Sequence, residues 1–163
     1  MKEYEVKYAV SGNRLELIKK LMEAKFEKIY IEQKYISKDE RIRIVYQPRQ
    51  SDDFIIRTKK IPLGDGGLEE VETVATIEEY EAIRGIPIHK TRYWKTVGDY
   101  IYSVDMFHDL ELILLEVETT SKELFDKLDL MKDGPNVLDI DFENNCLITD
   151  VSNANIFFKV INK

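Results

Sequence analysis

The chain has 163 residues, 24 Lys and Arg against 31 Asp and Glu, and a formal net charge of −7 at pH 7. That length favours one domain over residues 1–163, and a chain of this size buries roughly 68–70% of its unfolded surface. Seven Phe, nine Tyr and one Trp exclude disorder as the main state, and the acidic balance argues against nucleic-acid polymers and anionic membranes as partners.

Most of the chain alternates with period 2, as half-buried strands do. Strands are expected at Lys2–Val10, Lys28–Ile36, Arg41–Gln47, Phe54–Ile61, Leu68–Ala75, Ile88–Val97, Tyr100–His108 and Leu112–Glu118. Between the first two, Leu15, Ile18, Leu21 and Met22 recur at helical spacing, so Arg14–Lys25 reads as a helix capped by Ser11 or Asn13. Pro62-Leu63-Gly64-Asp65-Gly66-Gly67 reads as a turn. Thr76-Ile77-Glu78-Glu79 is a capping box opening a short helix that Gly85 ends. Ser121–Leu130 reads as a third helix, and Asp133-Gly134-Pro135-Asn136 as a break. Eight strands with few helices predict an α+β fold, with an antiparallel barrel favoured over an open sheet. Cys146 is the one cysteine, so no internal disulfide can form. Neither a signal-peptide h-region nor an apolar run of about 18 residues is present, so a cytoplasmic location is expected.

The strand faces carry the chemistry. Alternation puts Glu3, Glu5 and Lys7 on one face, and Arg41 with Arg43 on another. Arg57 pairs with Lys59, Glu70 with Glu72, Lys90 with Arg92, and Glu116 with Glu118, while Asp105 stands alone on its strand. Such charges can simply be solvated outward positions. Against that, most strands carry a single sign, and Glu116 and Glu118 sit among apolar neighbours. If these faces line a barrel interior, so many buried charges are costly unless they bind something. Carboxylates suit magnesium or manganese, and arginine and lysine suit phosphate oxygens. The joint expectation is a metal-bound polyphosphate.

These residues resemble a known family. Glu3-Tyr4-Glu5-Val6-Lys7 is similar to the ExExK signature of the CYTH domain, the triphosphate tunnel metalloenzymes. Gln33-Lys34-Tyr35 with Arg41-Ile42-Arg43 resembles its Gln-x-Tyr and Arg-x-Arg strands, and Phe54–Lys59 its lysine-bearing strand. Glu70-Val71-Glu72, Lys90-Thr91-Arg92-Tyr93, Val104–His108 and Glu116-Val117-Glu118 resemble its remaining strands, in order over residues 1–120.

The resemblance implies an eight-stranded barrel forming a tunnel. It implies metal ligands among Glu3, Glu5, Glu70 or Glu72, Asp105, Glu116 and Glu118, and triphosphate binding by Lys7, Arg41, Arg43, Lys59, Lys90 and Arg92. Glu5, Lys7 and Glu118 are the expected centre of catalysis. Two positions depart from the family pattern: Leu68 replaces an arginine, and Leu147–Asn153 lacks a basic residue, with Lys159 nearby as a candidate cation. Three activities fit: a metal-dependent phosphohydrolase of inorganic triphosphate or a small organic one such as thiamine triphosphate, a class IV adenylyl cyclase, and a non-catalytic binder of polyphosphate or nucleotide. Oligomeric state is not legible. His108 is expected to have a structural hydrogen-bonding role and His89 to face outward. Trp94 is expected in the core or rim, where it could stack a ring, and Asp52-Asp53 in a solvated turn.

Overall fold

The computed structural model describes residues 1–47, 53–127 and 147–150. Asp52, residues 128–130, the break at Asp133–Asn136, Cys146, residues 151–153 and Lys159 lie outside the described residues.

All eight expected strands form, each within two residues of its expected ends: β1 Lys2–Ser11, β2 Glu27–Ser37, β3 Glu40–Tyr46, β4 Phe54–Pro62, β5 Leu68–Val74, β6 Ile88–Val97, β7 Tyr100–Phe107 and β8 Ile113–Thr119. They run β5-β4-β3-β2-β6-β7-β8-β1, every neighbouring pair antiparallel. Pairing of Lys2 with Glu69 and Glu3 with Leu68 joins β1 to β5 and closes the barrel. A ninth strand, β9 (Leu147–Asp150), was not expected; it pairs with Tyr8–Ser11 on the β1 edge that β5 leaves free.

Among the described residues three helices accompany the barrel: α1 Arg14–Glu23, α2 Ile77–Ala82 and α3 Lys122–Lys127. Asn13 caps α1, its side chain accepting from the Glu16 amide at 3.1 Å. The helix stops two residues before the expected end because Lys25 takes a left-handed φ of 68°. Thr76 caps α2 at 3.2 Å from the Glu79 amide, and Ser121 accepts from the Leu124 amide of α3 at 3.2 Å.

The main apolar core lies outside the barrel wall. Leu17 and Leu21 of α1 pack with Phe26 over the outward residues Val10, Tyr93, Tyr102, Val104, Met106, Ile113, Leu115 and Val117. Tyr80 of α2 similarly covers Ile42 and Ile44. This arrangement frees the inward face of the same strands from supplying the main core. Only part of that interior is apolar: Phe107, Leu112 and Leu114 with Ala9, Tyr35 and Ile88. Ile31, Val45 and Ile56 line it too, and the charged side chains share the rest with Gln33 and Thr58.

Candidate functional site

Strand pairing fixes which charges share the interior. Glu5 lies opposite Glu118, Lys7 opposite Glu116, Arg92 opposite Asp105 and Gln33 opposite Arg43. Arg41 lies opposite Thr58, Thr58 opposite Glu72, and Lys60 opposite Glu70. Directly paired residues project to the same face, so both signs of charge meet inside one barrel.

The acidic side is built by β1, β5 and β8. Carboxylate oxygens of Glu3, Glu5 and Glu118 all lie within 4.8 Å of one another, a spacing at which they can share one cation. Lys60 Nζ joins this group, 2.9 Å from Glu3, 3.0 Å from Glu5 and 3.7 Å from Glu70. Lys7 Nζ lies 2.7 Å from Glu5 and 3.6 Å from Glu116. Burial alone would raise Glu5, but Lys7 and Lys60 outweigh it and hold its carboxyl well below the usual range. Glu3 is pushed up to about 9 by burial, with Glu5 and Glu70 adding to the push and Lys60 opposing it. Glu118 is pushed up to about 7 by burial and the neighbouring Glu116 and Glu5. Burial and mutual repulsion thus oppose full ionisation of the trio, and a cation placed among the three carboxyls would relieve both. Three hard oxygen donors so arranged fit a divalent cation such as magnesium or manganese.

The basic side is built by β3 and β6. Asp105 does not join the carboxylate trio. It holds Lys90 Nζ at 2.9 Å and grips Arg92 through Nε at 2.7 Å and an Nη at 2.9 Å. Its role in this structure is counter-ion to those two cations. Arg43 reaches Thr58 Oγ1 at 3.3 Å and Glu72 at 3.5 Å. Glu72, 45% exposed, reaches Glu70 as well as Arg43 and lies outside the trio. The Nε atoms of both Arg41 and Arg43 are buried without a hydrogen-bond partner. Burial among Arg41 and Arg92 pushes the Arg43 guanidinium down to about 9. Cations crowded in this way, with donors unfilled, fit an anion.

Lys59 is corrected. Its side chain is exposed, and its pairing with Glu40 and Val71 places it on the outer face with Arg57. The residue on the inner face is Lys60. Both faces of β4 carry cations, so like charge at alternate positions points to Arg57 and Lys59, the outer face. The inner face is fixed by Thr58, buried between Arg41 and Glu72 and on the same side as Lys60. Lys59→Ala is therefore expected to leave stability and triphosphate affinity unchanged. Lys60→Met is expected to weaken triphosphate binding at least about tenfold, read by calorimetric titration.

The lesser residues fall as expected. His108 Nε2 bonds Thr91 Oγ1 at 2.7 Å, and His89 is half-buried beside Glu32 at 3.6 Å. Cavities among the described residues open on the barrel. One of about 510 Å³ is lined by Glu5, Lys7, Arg41, Thr58, Lys60 and Leu68. Another, of about 600 Å³, is mostly apolar, with Ile29, Ile31, Phe54, Ile56 and Trp94 around Arg43. Trp94 thus stands at a rim.

No family model and no curated protein matches the sequence. Solved structures do match in fold. The PH1819 protein of Pyrococcus horikoshii is 16% identical, with 98% of this chain and all of that chain covered and a TM-score of 0.60. HpAC1 of Hippeastrum, a candidate adenylyl cyclase described as having a dominant triphosphatase activity, is 13% identical, with 98% and 96% covered and a TM-score of 0.55. A candidate adenylate cyclase of Bacillus halodurans is 16% identical, with 86% and 92% covered and a TM-score of 0.54. At these identities the likeness establishes the fold, a closed antiparallel barrel as the sequence predicts. Among the described residues no helix is long and apolar enough to cross a membrane.

Proposed function

We propose that this chain is a divalent-metal-dependent phosphohydrolase acting on triphosphates inside its barrel. The observation that carries this is the meeting, in one interior, of a close carboxylate trio and a wall of cations with unfilled donors. The activities named for HpAC1 and for the Bacillus halodurans protein are consistent with it.

Glu3, Glu5 and Glu118 would hold the cation, with Glu70 and Glu116 close enough to the lysines to adjust its charge. When bound there, magnesium or manganese supplies Lewis-acid stabilisation of phosphoryl oxygens and helps to ionise an attacking water. Lys7 and Lys60 stand between carboxylates and cavity, where their ammonium groups can turn to phosphate oxygens. Arg41 and Arg43 offer guanidinium edges to the same chain of phosphates, and Arg92, fixed by Asp105, adds a third. Phosphoryl transfer needs chiefly positioning and charge stabilisation, so these fixed cations suffice without a nucleophilic side chain.

The apolar cavity beside Arg43 favours a small organic triphosphate over the inorganic ion, because Trp94 and Phe54 offer faces to a ring. Incubation with magnesium or manganese and, separately, tripolyphosphate, thiamine triphosphate and ATP tests the reading. Phosphate release is expected. Cyclic AMP from ATP would identify a class IV adenylyl cyclase instead, and tight binding without turnover a non-catalytic binder.

A further inference from the structure

Gln33 is the most completely buried polar side chain of the interior that the site above does not use. Its exposure is 0%, and neither Oε1 nor Nε2 has a hydrogen-bond partner. Both ends are unfilled, so the conclusion does not depend on which way the amide is turned. A buried carboxamide left so bears the full desolvation cost of each unmet group, and such groups are rare in native proteins. Leucine would fill the same space without that cost.

The surroundings indicate what satisfies it. On β2, Gln33 lies directly opposite Arg43 on one side and Ile88 on the other. Arg41 is two residues along β3, and Lys90 faces the adjoining inward residue Ile31. Three cations therefore border the carboxamide. They can attract its oxygen, but they offer no acceptor for its N–H. Gln33 Nε2, Arg41 Nε and Arg43 Nε form one group of buried, unfilled donors on neighbouring strands. A ligand that fills them must bring several acceptor oxygens to one place.

We propose that Gln33 is a further binding residue of this barrel, donating its Nε2–H to a phosphoryl oxygen beside Arg41 and Arg43. The inference rests on the triphosphate reading and adds to it a neutral contact. A neutral donor contributes direction without adding to the crowding of positive charge.

Calorimetric titration with tripolyphosphate in magnesium, together with thermal unfolding without ligand, tests this on the wild type, Gln33→Leu and Gln33→Glu. Gln33→Leu is expected to lose roughly 10- to 100-fold in affinity while its unligated melting temperature stays level or rises. That combination separates binding from a structural role, which would lower the melting temperature. Gln33→Glu keeps the shape and places a carboxylate among Arg41, Arg43 and Lys90. It should raise the unligated melting temperature and weaken tripolyphosphate binding by competing for the arginines. Wild-type affinity in Gln33→Leu would overturn the proposal, as would wild-type affinity in Gln33→Glu should Gln33→Leu fail to fold. A wild-type protein that binds no tripolyphosphate would overturn the functional reading itself, and this inference with it.

Discussion

Asp105→Asn is expected to lower the free energy of unfolding by about 3–5 kcal/mol, the usual cost of removing one partner from a buried ion pair. Asp105 is 1% exposed, and it is held between Lys90, also 1% exposed, and Arg92. Asparagine fits the space but leaves two cations without a counter-ion. Burial alone would raise the Asp105 carboxyl, but Arg92 and Lys90 outweigh it and hold it well below its ordinary value of 3.8. A carboxylate depressed on folding stabilises fully above its unfolded value and loses that contribution as the pH falls toward its folded value. The gap between wild type and Asp105→Asn should therefore be full at neutral pH and shrink below 3.8. Urea unfolding across that range measures it. Asp126→Asn, on the exposed Lys122–Asp126 pair of α3, should leave the urea midpoint essentially unchanged, because solvent screens such a pair.

Glu5→Gln is expected to reduce metal-dependent triphosphate turnover by about 10²–10³-fold, the scale seen when one preorganised electrostatic contact is lost. Glu5 is the carboxylate of the trio held most firmly in its charged form, because Lys7 and Lys60 both reach it. The fold should persist. Lys60 keeps Glu3 and Glu70, and Lys7 keeps Glu116. Steady-state phosphate release at saturating manganese, with circular dichroism as the folding control, reads the outcome. Undiminished turnover would remove Glu5 from the metal-binding set.

The strands were legible because one period runs through most of the chain, and their outward faces supply an apolar core under α1 and α2. The barrel was legible because single-signed inward faces need a closed space in which to meet. What failed were choices between adjacent residues. On β4 the parity at Lys59 and Lys60 is set by pairing across to Arg41 and Glu72, which one strand alone does not reveal. The grouping of Asp105 with the metal carboxylates failed for a related reason. Alternation shows that a residue faces inward, but not which inward neighbour it meets. Its cross-strand partner is Arg92, and Lys90 is close enough to share it. β9 was missed because Leu147–Asp150 is too short to show a period. Gln33 stood in a recognised motif, yet only complete burial without a partner distinguishes it from a structural amide.

The net charge of −7 argued against anionic partners when taken as a total. Resolved by position, a carboxylate trio that suits a cation and a set of arginines and lysines face the same interior. An acidic chain of this design can hold a polyanion, since charge arrangement rather than net charge governs the local field. Titration of wild type and Arg41→Ala with tripolyphosphate at saturating magnesium tests this most directly. Among the described residues Arg41 makes no direct ion pair, Glu116 and Glu70 attracting it only at longer range, so the variant should fold. The account predicts one binding site per chain in the wild type and an affinity at least about tenfold weaker in Arg41→Ala. No binding by the wild type, or equal binding by both, would contradict it.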